Sequence, residues 1–453
     1  MTSKRLAAAM LLLLIFLSGD ARCDNATENP FITVDEGRFL LGGSPYCFVG
    51  ANTWYGAYLG ADTGFGDRTR LQEELDQLRQ AGVTNLRILG ASESSKLRDA
   101  LKVTFSDASG ARNEALLEGL DFLLDEMAKR GMKAVIYLNN FWEWSGGMAT
   151  YLHWAEGGEI IDPSNPDHPW PAFAVYSSGF YANEQAKRMF RDYVRALVSR
   201  RNSVSGVAYA EDPTIMAWQL ANEPRPGHRD AGGHARLDDY YAWINDTAEL
   251  IKGLDANHLV STGSEGTMGC LQDDGCYLEA HRSDRIDYLT FHVWPNNWGW
   301  YDELNPAETF DAASRQAADY ITHHLELAAR LGKPVVMEEF GLNRDMGSFS
   351  PASETTYRDR FYQMVFERVE QDLANHGPFS GSNFWAWGGS GRANHADFRW
   401  QGDDRSYMGD PPQEAQGLYS VLNSDKSTLQ LIRRHAQRLA GLGCGTAPTA
   451  PGH

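Results

Sequence analysis

The stretch MAWQLANEPRP, Met216 to Pro226, runs an apolar strand into Asn-Glu-Pro. Proline cannot donate to a strand ladder and restricts the residue before it, so the strand must end near Glu223. A carboxylate at that point sits at a strand's C-terminal lip. The same habit of a short apolar run followed by polar residues recurs along the chain, at 46–52, 84–90, 133–140, 215–222, 258–264, 286–294, 334–341 and 382–388. Amphipathic stretches lie between these runs. RLQEELDQLRQAG, GLDFLLDEMAKRG and AADYITHHLELAARLGK each close on or beside a glycine, as helix C-termini do. Buried strands alternating with helices make a parallel sheet covered by helices, and eight of each suit a (β/α)8 TIM barrel with enlarged loops. A doubly wound open sheet is the structural alternative, but no G-x-G-x-x-G follows the first strand. Long inserts at 141–180, 266–285, 295–310 and 389–426 all follow strands. In a barrel they crowd the C-terminal face, where active sites lie.

The 453-residue chain carries a formal charge of −19, with no cluster of Lys and Arg, which disfavours nucleic acid and leaves an uncharged or cationic partner. Lys4-Arg5, the apolar run Leu6 to Leu17 and the small residues ending at Ala21 read as an export signal over residues 1–22. The run is too short to span a membrane, and no other segment resembles a transmembrane helix. Lipidation at Cys23 is the rival, set back by Arg22 where a small residue would stand. Residues 23–445 read as one catalytic domain that acts as a secreted or periplasmic monomer, and 446–453 as a flexible tail. Cys270 and Cys276 bracket a polar loop, and export makes a disulfide there plausible; the pairing of Cys23, Cys47 and Cys444 stays open. Asn25 and Asn245 head glycosylation acceptors should the source be eukaryotic.

Glu223 ends the fourth strand and Glu339 the seventh, so barrel closure places both at one rim. Two facing carboxylates are what glycoside cleavage needs, one to protonate the departing oxygen and one to attack the sugar carbon or activate water. A single strand-end acid more often caps a helix or holds a metal. Here its neighbours tip the balance: Arg87, Asn222, His292, Trp385 and Trp387 also lie at strand ends. An arginine near Glu339 would hold it as a charged nucleophile, and a less charged setting for Glu223 would raise its pKa and suit it to be an acid. Tryptophans at the rim, Trp54, Trp142, Trp144, Trp294, Trp298, Trp300, Trp385 and Trp387, would stack on the apolar faces of sugar rings. About half of them are expected to fill core instead, and Trp218 reads as core. The histidines lack metal-ligand spacing such as H-E-x-x-H, so no metal and no cofactor is expected.

Asn-Glu-Pro after strand four, Glu-Phe-Gly after strand seven, the strand-two Arg, the strand-six His and the strand-eight Trp together resemble glycoside hydrolase family 5 over roughly residues 30–440. WQLANEPRP, NNFWEWSGG, STGSEG, FHVWPNNWGW and VVMEEFG resemble its endo-β-1,4-mannanase subfamily. The resemblance implies a retaining clan, with Glu223 as acid/base and Glu339, directly before Phe340-Gly341, as nucleophile. Glu338 competes for that role, but strand alternation would send it to the other face. The resemblance also gives Arg225 a contact on the leaving-group side, and Asn140 and Glu265 are expected to bond substrate hydroxyls. One departure stands out. Trp294 occupies the place of a family tyrosine whose hydroxyl bonds the nucleophile, and an indole N–H can donate but not accept. The expected activity is endo-hydrolysis of β-1,4-mannosidic linkages in a neutral mannan. A β-1,4-glucanase of the same clan, a noncatalytic polysaccharide-binding barrel and an exo-acting mannosidase are the alternatives.

Overall fold

The computed structural model describes residues 29–402 and 404–444. Residues 1–22, read above as an export signal, with Cys23, Asn25 and residues 446–453, lie outside the described residues. Eight parallel strands form one sheet: Phe48–Asn52, Asn85–Leu89, Lys133–Tyr137, Ile215–Gln219, Leu259–Ser261, Leu289–Val293, Val335–Phe340 and Phe379–Phe384. They are called strands one to eight below. Strand one pairs with both strand two and strand eight. A parallel bridge from Ser261 to Tyr288 joins strand five to the approach of strand six, which closes the ring. The result is a (β/α)8 TIM barrel. Every residue of these strands is buried, as a sheet covered on both faces requires.

The helices begin and end where local chemistry places them. Asp67 accepts from the Arg70 N–H at 3.0 Å and starts Arg68–Gln80. Asn113 does the same for Leu116 and starts Glu114–Lys129. Pro306 opens Pro306–Leu331, and Gly332, at φ +65°, ends it in the left-handed conformation that glycine adopts without a side-chain clash. Ahead of the barrel, an antiparallel sheet of Ile32–Asp35, Arg38–Leu41 and Ser44–Pro45 lies across its N-terminal end. Its Ile32 and Phe39 pack with Phe48, Val135, Met216, Leu259, Tyr288 and Val336 from the barrel strands and close that end with apolar side chains. The opposite end is left to the inserts.

Two disulfides fasten the shell. Cys270–Cys276 closes the loop after strand five, as expected, and Cys47–Cys444 ties the entry of strand one to the chain beyond the last helix, Lys426–Gly441. The last strand departs from its sequence reading. It starts at Phe379 and ends at Phe384, and Trp387–Gly389 leaves the barrel to pair with Val421–Leu422 at the neck of the final insert. Trp218 is core, with its indole N–H donating to Asp255 at 2.7 Å. Among the described residues no helix is long and apolar enough to cross a membrane.

Candidate active site

Arg87, on strand two, is fully buried and organises the floor of the C-terminal end. Its guanidinium donates to Asn52 Oδ1 at 3.1 Å, Gln219 Oε1 at 2.8 Å, Asn222 Oδ1 at 2.7 Å and Glu339 Oε1 at 2.5 Å. One planar fork thus ties strands one, two, four and seven together, which a lysine could not do. Burial works against its charge, but Glu339 and Glu338 more than offset this and hold it above its ordinary pKa.

His292 on strand six stands between the two expected catalytic carboxyls. Its Nδ1 lies 2.6 Å from Glu223 Oε1 and 3.3 Å from Glu339 Oε2. Trp142 Nε1 donates to the other Glu223 oxygen at 2.5 Å. One donor atom from each of Glu223, His292 and Glu339 lies within 4.8 Å of the others. That spacing could also hold a metal ion. Burial alone would depress the imidazole, but the charge of Glu339 and the hydrogen bonds to Glu223 and Glu339 raise it to about 9. His292 is therefore protonated at neutral pH, and any metal would have to displace that proton.

The setting of Glu223 corrects one expectation. A less charged environment was expected to raise this carboxyl; burial does push that way, but the hydrogen bond to His292 and its charge, with Arg225 behind, lower it to about 2. The 2.6 Å contact lets this carboxyl and the neighbouring imidazole share the proton that an acid would deliver. Glu223 also carries a positive φ of +47°, rare for a residue with a side chain and more so before proline. Such conformations cost about 1–3 kcal/mol and gather at functional sites.

Strand alternation does not separate Glu338 from Glu339. A register shift between Met337 and Glu339 against strand six lets both reach Arg87, Glu338 at 3.7 Å from Nε. They differ in depth instead. Glu338 is held within the barrel by Gln219 and the Tyr288 hydroxyl, whereas Glu339 lines the open cavity.

That cavity has a volume of about 470 Å³. On one side Arg225 donates to Glu265 Oε2 through Nε and Nη2, at 2.9 and 2.6 Å, and lies 4.8 Å over the Trp142 ring. Burial raises the Glu265 carboxyl to about 8 despite Arg225, and the charge of Glu223 adds to it. Asn297 and Trp298 continue this wall. The insert after strand three supplies Glu143, Trp144 and Trp170, and the insert after strand eight supplies Gln413 and Glu414 beside Trp385 and Trp294. Gln413 Oε1 and Glu414 Oε2 are buried acceptors with no protein donor among the described residues. Burial, then the charges of Asp410 and Glu339, holds the Glu414 carboxyl well above its ordinary range.

The structure brings Glu223, Glu339, Asn222, Trp142, Arg225, Glu265, Trp294 and Trp385 to this cavity, with Arg87 and His292 directly behind. Three expected substrate contacts are elsewhere. Trp54 is fully buried, donates to the Gly409 carbonyl at 3.0 Å and packs edge-on against Trp144. Trp387 is fully buried in the pairing with Val421. Asn140 is fully buried and spends its amide on the protein, accepting from Trp142 N and Asn222 Nδ2 and donating to Ser145 Oγ. Trp294 makes no hydrogen bond to Glu339 among the described residues; its ring packs 4.9 Å from Tyr419, and Arg87 and His292 orient the carboxylate. Sequence reasoning missed Glu143, Trp170, Asn297, Gln413 and Glu414. All lie in inserts whose position after strands was legible but whose inward residues carry no periodic signal.

A family model described as GH family 5 beta-mannosidase-like matches residues 29–443. Among curated proteins the chain is 28% identical over 459 residues to putative mannan endo-1,4-beta-mannosidase 4 of Arabidopsis thaliana, covering 97% of this chain and 98% of that one. Among solved structures it is similar to a glycoside hydrolase family 5 mannosidase from Rhizomucor miehei, with 35% identity and a TM-score of 0.83 over 92% of this chain and 99% of that one. An endo-1,4-beta-mannanase of the same organism, at 24% identity and a TM-score of 0.66 over 91% of this chain and 99% of that one, shares the fold.

Proposed function

The chain belongs to the glycoside hydrolase family 5 beta-mannosidase-like family, and from that premise we propose that it hydrolyses β-1,4-mannosidic linkages with retention of configuration. The observation that carries this reading is the Glu223–His292–Glu339 cluster, its donor atoms within 4.8 Å of one another at the base of an open cavity. Retaining enzymes need carboxyls about 5 to 5.5 Å apart and inverting ones about 6.5 to 9.5 Å, and an approach within 4.8 Å between single oxygens of the two supports the shorter spacing. Glu339, paired with Arg87, attacks the anomeric carbon and forms a glycosyl ester. The charge of Glu339 is consumed as that bond forms, so the hold on the imidazolium weakens, and the proton between His292 Nδ1 and Glu223 Oε1 passes to Glu223. Glu223 delivers it to the departing oxygen. In the second half, Glu223 takes a proton from water, which attacks the same carbon from the vacated side and frees Glu339, and the restored Glu339 charge draws that proton back toward His292.

Internal cleavage of a neutral mannan, the sequence-based expectation, is supported by the names of the curated relatives. A second reading, release of sugar from a chain end, is favoured by one feature. The insert after strand eight brings Gln413 and Glu414 into the cavity lining with Trp385, with acceptors that have no protein donor among the described residues and can take the hydroxyls of a terminal sugar. Digestion of mannohexaose separates the two, because internal cleavage yields short oligomers at once and end-wise release yields mannose and mannopentaose. No hydrolysis of any mannoside would refute both. Residues 1–22 are read as an export signal, and the two disulfides support an oxidising destination.

A further inference from the structure

The turn Glu143–Ser145 is held from every side. Trp142 N donates to Asn140 Oδ1 at 3.1 Å, Glu93 N to the Ser145 carbonyl at 2.8 Å, Leu101 N to the Trp144 carbonyl at 2.8 Å and Gly146 N to the Glu143 carbonyl at 2.8 Å. Gly147 N is tied to Glu93 Oε2 at 2.7 Å. This rigid turn carries Trp142, whose indole bonds Glu223, and Trp144, which lines the same cavity. Between them stands Glu143, 9% exposed, with its carboxyl in the cavity wall. Among the described residues no other side chain donates to it and no cation pairs with it; its own backbone N–H is its protein donor. A carboxyl on a turn this firmly fixed, at the lining of the cavity and with only its own amide to bond it, keeps acceptor capacity for something that enters. Burial lifts the group to about 7 against the pull of its own backbone N–H, and the charges of Asp162 and Asp99 add to the rise.

We propose that Glu143 is a sugar-binding residue, its carboxyl oxygens accepting hydrogen bonds from neighbouring hydroxyls of a ring in the cavity. This rests on the reading of the chain as a mannoside hydrolase and adds a contact to that site. Two oxygens on one carbon match a vicinal hydroxyl pair, and the flanking indoles offer apolar faces to the ring. A residue kept for a ligand differs from one kept for the fold in a measurable way. Glu143→Gln removes the unpaired charge, so it leaves the unfolding midpoint unchanged or raised while it weakens sugar binding.

The test uses calorimetric binding of mannotriose to the full-length Glu339→Ala protein and to the same protein carrying Glu143→Gln, with urea unfolding of both. The expected result is at least a tenfold weaker Kd with no loss of stability. Any smaller loss of affinity overturns the proposal, as does weaker binding that comes with a lowered unfolding midpoint, which would mark a structural acid. The broader reading fails separately. Were the unsubstituted protein to leave mannotriose intact while Glu143→Gln still weakened binding, hydrolysis would fall and the sugar contact would stand.

Discussion

Replacing His292 by glutamine should change the pH dependence of stability in one definite window. The imidazole faces Glu223 at 2.6 Å and Glu339 at 3.3 Å, with Arg87 on the far side of Glu339 and Glu338 deeper in the barrel. Its pKa rises from 6.5 to about 9 on folding. A group whose folded pKa is raised contributes stability that is complete below its unfolded value and is lost as pH climbs through its folded value. The shift from 6.5 to about 9 corresponds to roughly 3 kcal/mol, at about 1.4 kcal/mol per pH unit. The lowered Glu223 carboxyl expresses the same pair from its other end, present above 4.5 and lost as pH falls toward 2, so the two are not summed. The assay is urea unfolding followed by tryptophan fluorescence at pH 5.5, 6.5, 7.5, 8.5 and 9.5, for the parent and His292→Gln (these pH values are about one unit apart, wide enough to resolve the expected slope). Titrating groups remote from His292 cancel in the difference, whereas Glu223 and Glu339, which touch the imidazole, titrate with it as one cluster. That difference should be level from about pH 5 to 6.5 and then fall by about 3 kcal/mol toward pH 9.5. The alkaline limb of kcat/KM should fall in the same range, since the transferable proton leaves with it. A difference that stays flat to pH 9.5, or grows, would refute a proton shared by His292 and Glu223.

Arg87→Met removes the buried cation and leaves Glu339 facing a neutral side chain, which should destabilise the fold by about 3–5 kcal/mol in urea unfolding; an unchanged midpoint would show that the four-strand hub contributes nothing. Cys444→Ser opens a bridge that spans 397 residues and should cost about 2–5 kcal/mol, more than Cys276→Ser with its separation of 6, and the reverse order would contradict the chain-entropy account. Trp54→Phe should lower stability by about 1–3 kcal/mol through the orphaned Gly409 carbonyl, yet keep kcat/KM within about twofold. Trp385→Ala should lower kcat/KM for mannotriose at least tenfold, and equal effects of the two substitutions would return Trp54 to the cavity.

The eight strands were legible because each is an apolar run ended by a polar residue at the rim, and burial on both faces leaves that signature in the sequence. Arg87, Glu223, His292 and Glu339 were legible for the same reason: a charge at the end of a buried strand is costly unless the barrel opens there onto partners and solvent. Depth was not legible. Trp54 and Trp387 follow strands just as Trp142 and Trp385 do, yet their rings turn into the shell, and only the closed packing decides which way an indole faces. The bulge beside Glu338 was equally hidden, since a one-residue register shift leaves no mark on composition. Glu143, Gln413 and Glu414 come from inserts without a repeating pattern, where the inward residue is set by turn geometry and long-range contacts. The bridge from Cys47 to Cys444 joins the two ends of the barrel domain, a closeness that local sequence does not carry.

The central claim is that Glu339 forms a covalent bond to the sugar while Glu223 handles the proton. Incubation with a 2-deoxy-2-fluoro-β-mannosyl fluoride, which forms the ester and slows its hydrolysis, followed by peptide mass spectrometry, addresses it directly. The account predicts a single adduct on Glu339. An adduct on Glu338, or rapid turnover to the inverted sugar with no adduct, would contradict it.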